Sequence, residues 1–420
     1  VIQIVENPER IKRAEIVVGI PSFQEADSIG HVVSRVDQGL MRFFEKKNSV
    51  IINVDNFSPD GTKDAFLNTE SKTPKLYCST AKGVRGKGRN IKNLFQAGVE
   101  LGAKAILMVD ADLKSITPEW VQYFTEPIYM GYDYVIPIYV RHKYDGTITN
   151  NITYPLTRVL YGLRTRQPIA GDFCFSGRLA RAFLTEKTWN RNVSEFGIDI
   201  WMTTIAIARG FNVCQTFLGA PKSHRTKDPS GHLGPMFYQV VGTLFDLAVD
   251  FEYLWKDTSA SRPTSIFGFG LGVKEDPPIV DVNEKKLLMQ FKKGSRRYGK
   301  IWNKVIAEIN LEDLLKNINR EVKDVILPAD LWARILFDYI VAYRDESDLR
   351  NQLLLSLIPI YFLRTLGFIN GTRELDTKEA EDYLDIECRK MEEEKYYLIA
   401  KWNQTPRKDG IPSIAQYLAD

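Results

Sequence analysis

Two aspartates, Asp110 and Asp112, close the apolar run Ala105-Ile106-Leu107-Met108-Val109 with only Ala111 between them. Five consecutive apolar residues bounded by acids describe a buried parallel strand ending at the carboxyl edge of a sheet, where open α/β sheets bind ligands. Alternation along an extended segment would send both carboxylates to one side. Two hard oxygen donors so placed suit Mg²⁺ or Mn²⁺ shared with a phosphate, which points to a diphosphate-bearing substrate. The competing role is structural: the pair could cap the helix opening at Thr117-Pro118-Glu119-Trp120, and a short motif counts only in context.

A second stretch suited to phosphate is Gly83-Val84-Arg85-Gly86-Lys87-Gly88-Arg89-Asn90, three glycines and three cations leading into a helix over 91–101. Backbone amides at a helix start, with Lys87 beside them, form a phosphate cradle. Many glycine-rich loops are only flexible turns, so this stretch too depends on its surroundings. Further polar residues fall where elements meet: Asp172 in the turn 167–173, Asp199 at the helix start 196–201, and Lys222-Ser223-His224-Arg225 just past a strand.

These residues need a scaffold. Strands are expected over 14–20, 49–55, 75–78, 134–139 and 212–218, with Pro137 marking an edge or a bulge. Loops follow at Pro21-Ser22-Phe23-Gln24-Glu25 and at 56–62, in the manner of βαβ units. The segment 226–234 is expected to be a mobile loop. From Met236 onward helical periods replace strands, over 237–255, 284–291, 300–317, 331–343, 353–366 and 377–402, with a candidate linker at 259–278.

With 420 residues the chain can bury a large core, and its 44% hydrophobic and 26% charged content is ordinary for a soluble protein. The 56 basic and 53 acidic residues nearly cancel, which leaves no electrostatic footprint for nucleic acid; Lys292-Lys293-Gly294-Ser295-Arg296-Arg297 is expected at solvated helix ends. Cys78, Cys174, Cys214 and Cys388 lack C-x-x-C spacing and are expected as reduced core thiols. Residues 1–13 have no apolar centre of a signal peptide, consistent with a cytoplasmic protein. The apolar stretch 353–369, interrupted by Pro359 and Arg364, falls short of the ~20 residues of a membrane span and is expected as a buried helix.

The order of these features resembles the nucleotide-sugar glycosyltransferases of the GT-A type. The combination of Pro168-Ile169-Ala170-Gly171-Asp172, Phe196-Gly197-Ile198-Asp199 and Ser223-His224-Arg225 narrows the resemblance to the retaining synthases of mannosylglycerate, glucosylglycerate and glucosyl-3-phosphoglycerate, over 14–247. It implies an α/β, Rossmann-like GT-A domain over 1–247 and a mainly α-helical C-terminal domain over 248–420.

By the same resemblance, Pro21, Ser22, Phe23, Glu25 and Asp55 would hold the nucleoside, with Glu25 accepting from the ribose hydroxyls. Gly86 and Lys87 would meet the diphosphate, Asp110 would reach the metal or the donor ribose, and Ala111 would lie against the donor. Asp112 and His224 would ligate Mg²⁺ or Mn²⁺. Asp172 and Asp199 would contact the transferred sugar or the attacking hydroxyl, completing a catalytic set with Asp112 and Lys87. Structural alternatives stand beside these roles: a helix-start acid for Glu25, a turn acid for Asp172, a helix cap for Asp199.

The acceptor is implied by departures. Phosphoglycerate-using members carry a Gly-Arg-Val-Thr run, and here the run is Gly146-Thr147-Ile148-Thr149, which lacks that arginine. Arg141, Asp145, Thr147, Ile148 and Thr149 instead resemble the glycerate-binding pattern of mannosylglycerate synthases. D-Glycerate is therefore expected ahead of 3-phosphoglycerate, although Arg166, His142 or Lys143 could contact a phosphate. The donor is expected to be UDP- or GDP-glucose, with mannose second. A homodimer with neither nucleic-acid nor membrane partner completes the expectation. A sugar nucleotidyltransferase is the alternative enzyme, disfavoured because its glycine-rich loop follows the first strand; an interaction scaffold built on 236–420 is the non-enzymatic one.

Overall fold

A computed structural model of the protein describes residues 4–223, 229–268 and 277–404. Nine strands form one mixed sheet, in the spatial order Ile4–Glu6, Lys75–Ser79, Ser49–Asp55, Ile16–Ser22, Ala105–Met108, Phe173–Ser176, Tyr134–Val140, Val213–Pro221, Ser265–Phe267. The four central N-terminal strands run parallel, whereas Phe173–Ser176 is antiparallel to both its neighbours. Strand residues such as Ile16, Val18, Ile51, Ile106 and Leu107 are fully buried, as expected of a sheet covered on both faces.

Chain contacts divide the protein into two interleaved units. The first comprises Val1–Val140, Thr165–His232 and Pro263–Pro277; the second comprises Arg141–Arg164, Leu233–Arg262 and Pro278–Asp420. This differs from the single cut after residue 247, because 141–164 and 233–247 pack with the C-terminal helices. The expected linker also contributes to the sheet, since Ser265–Phe267 pairs in parallel with Val213–Pro221. Pro137 lies in an interior strand, not at an edge: Phe173–Ser176 pairs only with Tyr134 and Val135, so the missing N–H of Pro137 costs no bond on that side. The ladder to Val213–Pro221 does shift register between Ile138 and Val140.

In the second unit the helix Glu284–Val305 runs straight through Gly294, where a Cβ would lie 2.2 Å from Pro359 Cβ. The run Lys292 to Arg297 therefore sits inside a helix, contrary to the expectation of helix ends. Helix Pro229–Asp250 likewise begins within the segment expected as a mobile loop. Ser347–Thr372 is long and apolar enough, by length and composition, to cross a membrane, which corrects the expected shortfall; 72% of its apolar window is buried inside the protein. Arg364 within it pairs with the buried Glu387 and donates from Nη1 to Leu327 O at 2.8 Å.

Candidate active site

Register sets the first row of the site. Ser22 pairs with Asp55, and Asp55 with Ser79, so three polar residues end the parallel strands side by side. Strand Ala105–Met108 stops before the acids, and Ala111-Asp112 form a turn. Strict alternation therefore does not govern where Asp110 and Asp112 point.

Asp110 lies in a cluster of three carboxylates and two ammonium groups. Lys222 Nζ is 2.8 Å from Asp110 Oδ2 and 2.8 Å from Asp172 Oδ2; Lys87 Nζ is 3.3 Å from Asp110 Oδ1 and 3.4 Å from Asp199 Oδ1. Backbone groups complete the cluster: the Asp110 N–H donates to Asp172 Oδ1 (2.8 Å), and the Gly171 N–H to Asp199 Oδ2 (2.9 Å). Tyr139 O–H donates to Asp172 Oδ2. Burial by itself would raise the Asp110 carboxyl, but Lys222 and Lys87 outweigh it and hold the group well below the usual carboxylate range. For Asp172, burial and the nearby Asp110 win over Lys222 and Tyr139, and the carboxyl is raised. Burial would lower Lys87, but Asp110, Asp199 and Asp172 hold it above its ordinary value.

The resemblance implies Lys87, Asp110, Asp172 and Asp199 in one site, and the structure brings the four together. Asp172, however, is fully buried, with both oxygens occupied, so it anchors the cluster instead of facing a sugar. Asp199 is no helix cap, since Gly197 holds that position. Lys222, noted only as the start of the stretch past a strand, and Tyr139 carry no role in the sequence reading of the site. The available signal was positional: Val140 pairs with Pro221, which puts both residues at the same end of neighbouring strands.

The glycine-rich loop departs from the expected cradle. The N–H of Gly88 donates to Glu195 O (3.1 Å) and that of Arg89 to Ser194 O (3.1 Å), so two amides at the helix start are already taken. Gly86 and Gly88 are required by close backbone approach, since a Cβ would lie 2.2 Å from Ser194 O and 1.9 Å from Val193 O respectively. What the loop brings to the cluster is the Lys87 side chain.

At the expected nucleoside end, Asp55 is fully buried. Its Oδ1 accepts from Ser22 Oγ (2.8 Å) and Ser58 Oγ (2.6 Å), its Oδ2 from Ser58 N (2.7 Å) and Tyr77 O–H (2.9 Å). Four donors leave it as an anchor joining the loops after two strands, not an open acceptor. Glu25 is also buried, with Ser28 Oγ donating to its Oε2 at 3.0 Å. Pro21, Ser22 and Ala111 are buried, while Phe23 is half-buried with the Arg85 guanidinium 4.4 Å above its ring.

The expected acceptor residues lie together in the second unit. Arg141 Nε is 3.9 Å from Asp145 Oδ2, and Gly146, at φ +65°, passes so close that a Cβ would sit 2.5 Å from Arg141 Nη1. Thr147 Oγ1 bonds the hydroxyl of Tyr361, and Ile148 and Thr149 are buried. Thr149–Thr153 is a π-helical turn, a form concentrated at functional sites. Lys143 is not available for a phosphate: its Nζ donates to the carbonyls of Thr372 (2.7 Å), Arg373 (2.9 Å) and Leu375 (2.6 Å).

Of the expected metal ligands, Asp112 is half-buried past the Ala105–Met108 strand, and His224 lies outside the described residues. Among the described residues no group of three or more His, Cys, Asp or Glu side chains could hold an ion. Asp112 is thus the one member of the expected pair whose chemistry, a hard carboxylate oxygen at the sheet edge, can be matched to Mg²⁺ or Mn²⁺ here.

Residues 17–189, which include most of the mixed sheet, match the family described as glycosyl transferase family 2. Mannosylglycerate synthase from Rhodothermus marinus is 28% identical over 123 residues, covering 28% of this chain and 30% of that protein. The chain thus matches under a third of that relative's length. Crystal structures of glucosyl-3-phosphoglycerate synthase from Mycobacterium tuberculosis are also similar. One, with Mn²⁺, UDP and phosphoglyceric acid, is 20% identical at a TM-score of 0.44, covering 56% of this chain and 78% of that one. Another, with Mg²⁺ and UDP, is 21% identical at a TM-score of 0.45, covering 56% and 79%.

Proposed function

We propose that the protein is a retaining hexosyltransferase that moves glucose, or mannose, from a nucleoside-diphosphate sugar to D-glycerate. The carrying observation is that Lys87 stands between Asp110 and Asp199 at the carboxyl edge of the parallel strands, within a segment matching family 2 glycosyltransferases. A cation held there by charge, at 3.3 and 3.4 Å, can turn to a diphosphate and offset the charge that builds as the anomeric carbon to oxygen bond breaks. Asp199, fixed by the Gly171 N–H, is the carboxylate best placed to orient a sugar hydroxyl. A divalent ion held by Asp112 and His224 would supply further neutralisation of the leaving diphosphate.

The choice of D-glycerate over 3-phosphoglycerate rests on the second unit. Thr147 stands where an anion-gripping arginine would be needed, and Lys143 is spent on three carbonyls. The similarity to a mannosylglycerate synthase supports the same class of acceptor. UDP- and GDP-linked glucose and mannose, each with Mg²⁺ or Mn²⁺, tested against D-glycerate and 3-phosphoglycerate for release of nucleoside diphosphate, decide it. Release with D-glycerate is expected; transfer to phosphoglycerate alone overturns the acceptor assignment, and release of pyrophosphate from a sugar phosphate and nucleoside triphosphate overturns the reaction.

A further inference from the structure

Lys222 has no part in the transfer chemistry above, yet it is the most fully committed cation of the cluster. Its Nζ contacts Asp110 Oδ2, Asp172 Oδ2 and Ala170 O, each at 2.8 Å, and its side chain is 7% exposed. The Tyr139 ring centroid lies 5.4 Å away. An ammonium has three donors, so these three acceptors exhaust it. Lys87 is held differently, at 3.3 and 3.4 Å from two carboxylates and 18% exposed. Contacts of that length are carried by charge more than by directed hydrogen bonds, and charge contacts can be exchanged.

We infer that Lys222 is a positioning residue, which fixes the Asp110 carboxylate against Asp172 and leaves Lys87 as the cation that changes partners when an anionic donor arrives. The inference rests on the nucleotide-sugar reading of the site. Its physical basis is local. Asp172 is fully buried and takes the Asp110 N–H on its other oxygen, so side chain and main chain of Asp110 are tied to one carboxylate. Removing Lys222 leaves two carboxylates facing each other with no cation between them, and a buried charge without its partner destabilises its surroundings. Asp110 would then rotate away, carrying with it one of the two charges that hold Lys87.

The test combines thermal unfolding with steady-state kinetics on Lys222→Met, Asp172→Asn, their double variant and Lys87→Met. Lys222→Met is expected to lower Tm by roughly 5 °C, and Asp172→Asn in that background to restore most of it, because the repulsion is gone. Asp172→Asn alone keeps an acceptor for the Asp110 N–H and should lose about tenfold or less in kcat, whereas both variants lacking Lys222 stay about 100-fold down with KM for the nucleotide sugar within about threefold. Lys87→Met, which removes the cation that meets the donor, should differ by raising that KM more than about tenfold in addition to lowering kcat. A Lys222→Met variant that melts with the wild type overturns the inference. So does a double variant that recovers kcat together with Tm, because Lys222 would then be only a counter-charge. If the wild type transfers sugar from no nucleotide donor, the enzymatic reading fails separately, and the unfolding comparison still decides whether Lys222 holds the carboxylate pair.

Discussion

A Cβ placed on Gly171 would stand 2.3 Å from Asp110 Oδ2 and 2.8 Å from Lys222 Nζ. Gly171 also sits at φ +88°, and its N–H holds Asp199, so main chain fills the space that a side chain elsewhere would occupy. Gly171→Ala should force Asp110 and Lys222 apart and lower kcat/KM by about 10²-fold, the cost of displacing reacting groups by an ångström. Kinetics on a variant with an unchanged circular dichroism spectrum checks this, and activity near the wild type would contradict it.

Gly88→Ala should act through a different element. The new Cβ would press on Val193 O, and the bond from Gly88 N to Glu195 O would be lost, displacing the loop that leads into helix Ile198–Ala208 and its Asp199. A loss of about 1–3 kcal/mol in denaturant unfolding is expected from such overpacking. An unshifted midpoint would mean that the loop yields without strain.

Lys143→Met should loosen the segment that carries Arg141 to Thr149, because the carbonyls of Thr372, Arg373 and Leu375 lose their common donor. Cations at a helix C-terminus are favourable, and this one joins the end of Arg350–Thr372 to the acceptor segment. A roughly tenfold rise in KM for D-glycerate is expected, equal to ~1.4 kcal/mol, with KM for the donor unchanged. Equal effects on both constants would assign Lys143 to general stability.

Asp133 gives the pH dependence. Its burial would raise the carboxyl, but bonds from Arg178, Ser176 and the Asn212 N–H outweigh this and lower it from 3.8. A folded-state value below the unfolded one means that the contribution to stability is complete above the unfolded value and is lost as pH falls through the folded value. Asp133→Asn should therefore cost about 1–3 kcal/mol at pH 7, and the difference from wild type should shrink below pH 4. A difference that stays constant into acid would show that Asp133 does not titrate with folding.

Asp112→Asn should weaken binding of Mn²⁺ in the presence of nucleoside diphosphate, read by calorimetry without turnover, by about 10²-fold. Unchanged binding would move the metal to other residues.

The sequence by itself determined that the apolar run from Ala105 to Val109 leads to Asp110 and Asp112 and that a glycine-rich loop carries Lys87, and the order of its motifs, through a family resemblance, set Asp172 and Asp199 beside them. Those features are local: apolar runs, turn formers and the order in which they occur. Tertiary structure decided the rest, for reasons that sequence distance hides. Lys222 meets Asp110 across 112 positions, through the pairing of Tyr134–Val140 with Val213–Pro221. The amides of Gly88 and Arg89 serve the carbonyls of Glu195 and Ser194, so two donors of a motif suited to phosphate are spent on packing. Arg141 to Arg164 leaves the sheet-bearing unit for the helices because Lys143, Thr147 and Asn151 find their partners at Thr372, Tyr361 and Trp332. Hydrogen-bonding capacity is written in each residue type, but which partner uses it is settled only when distant segments meet.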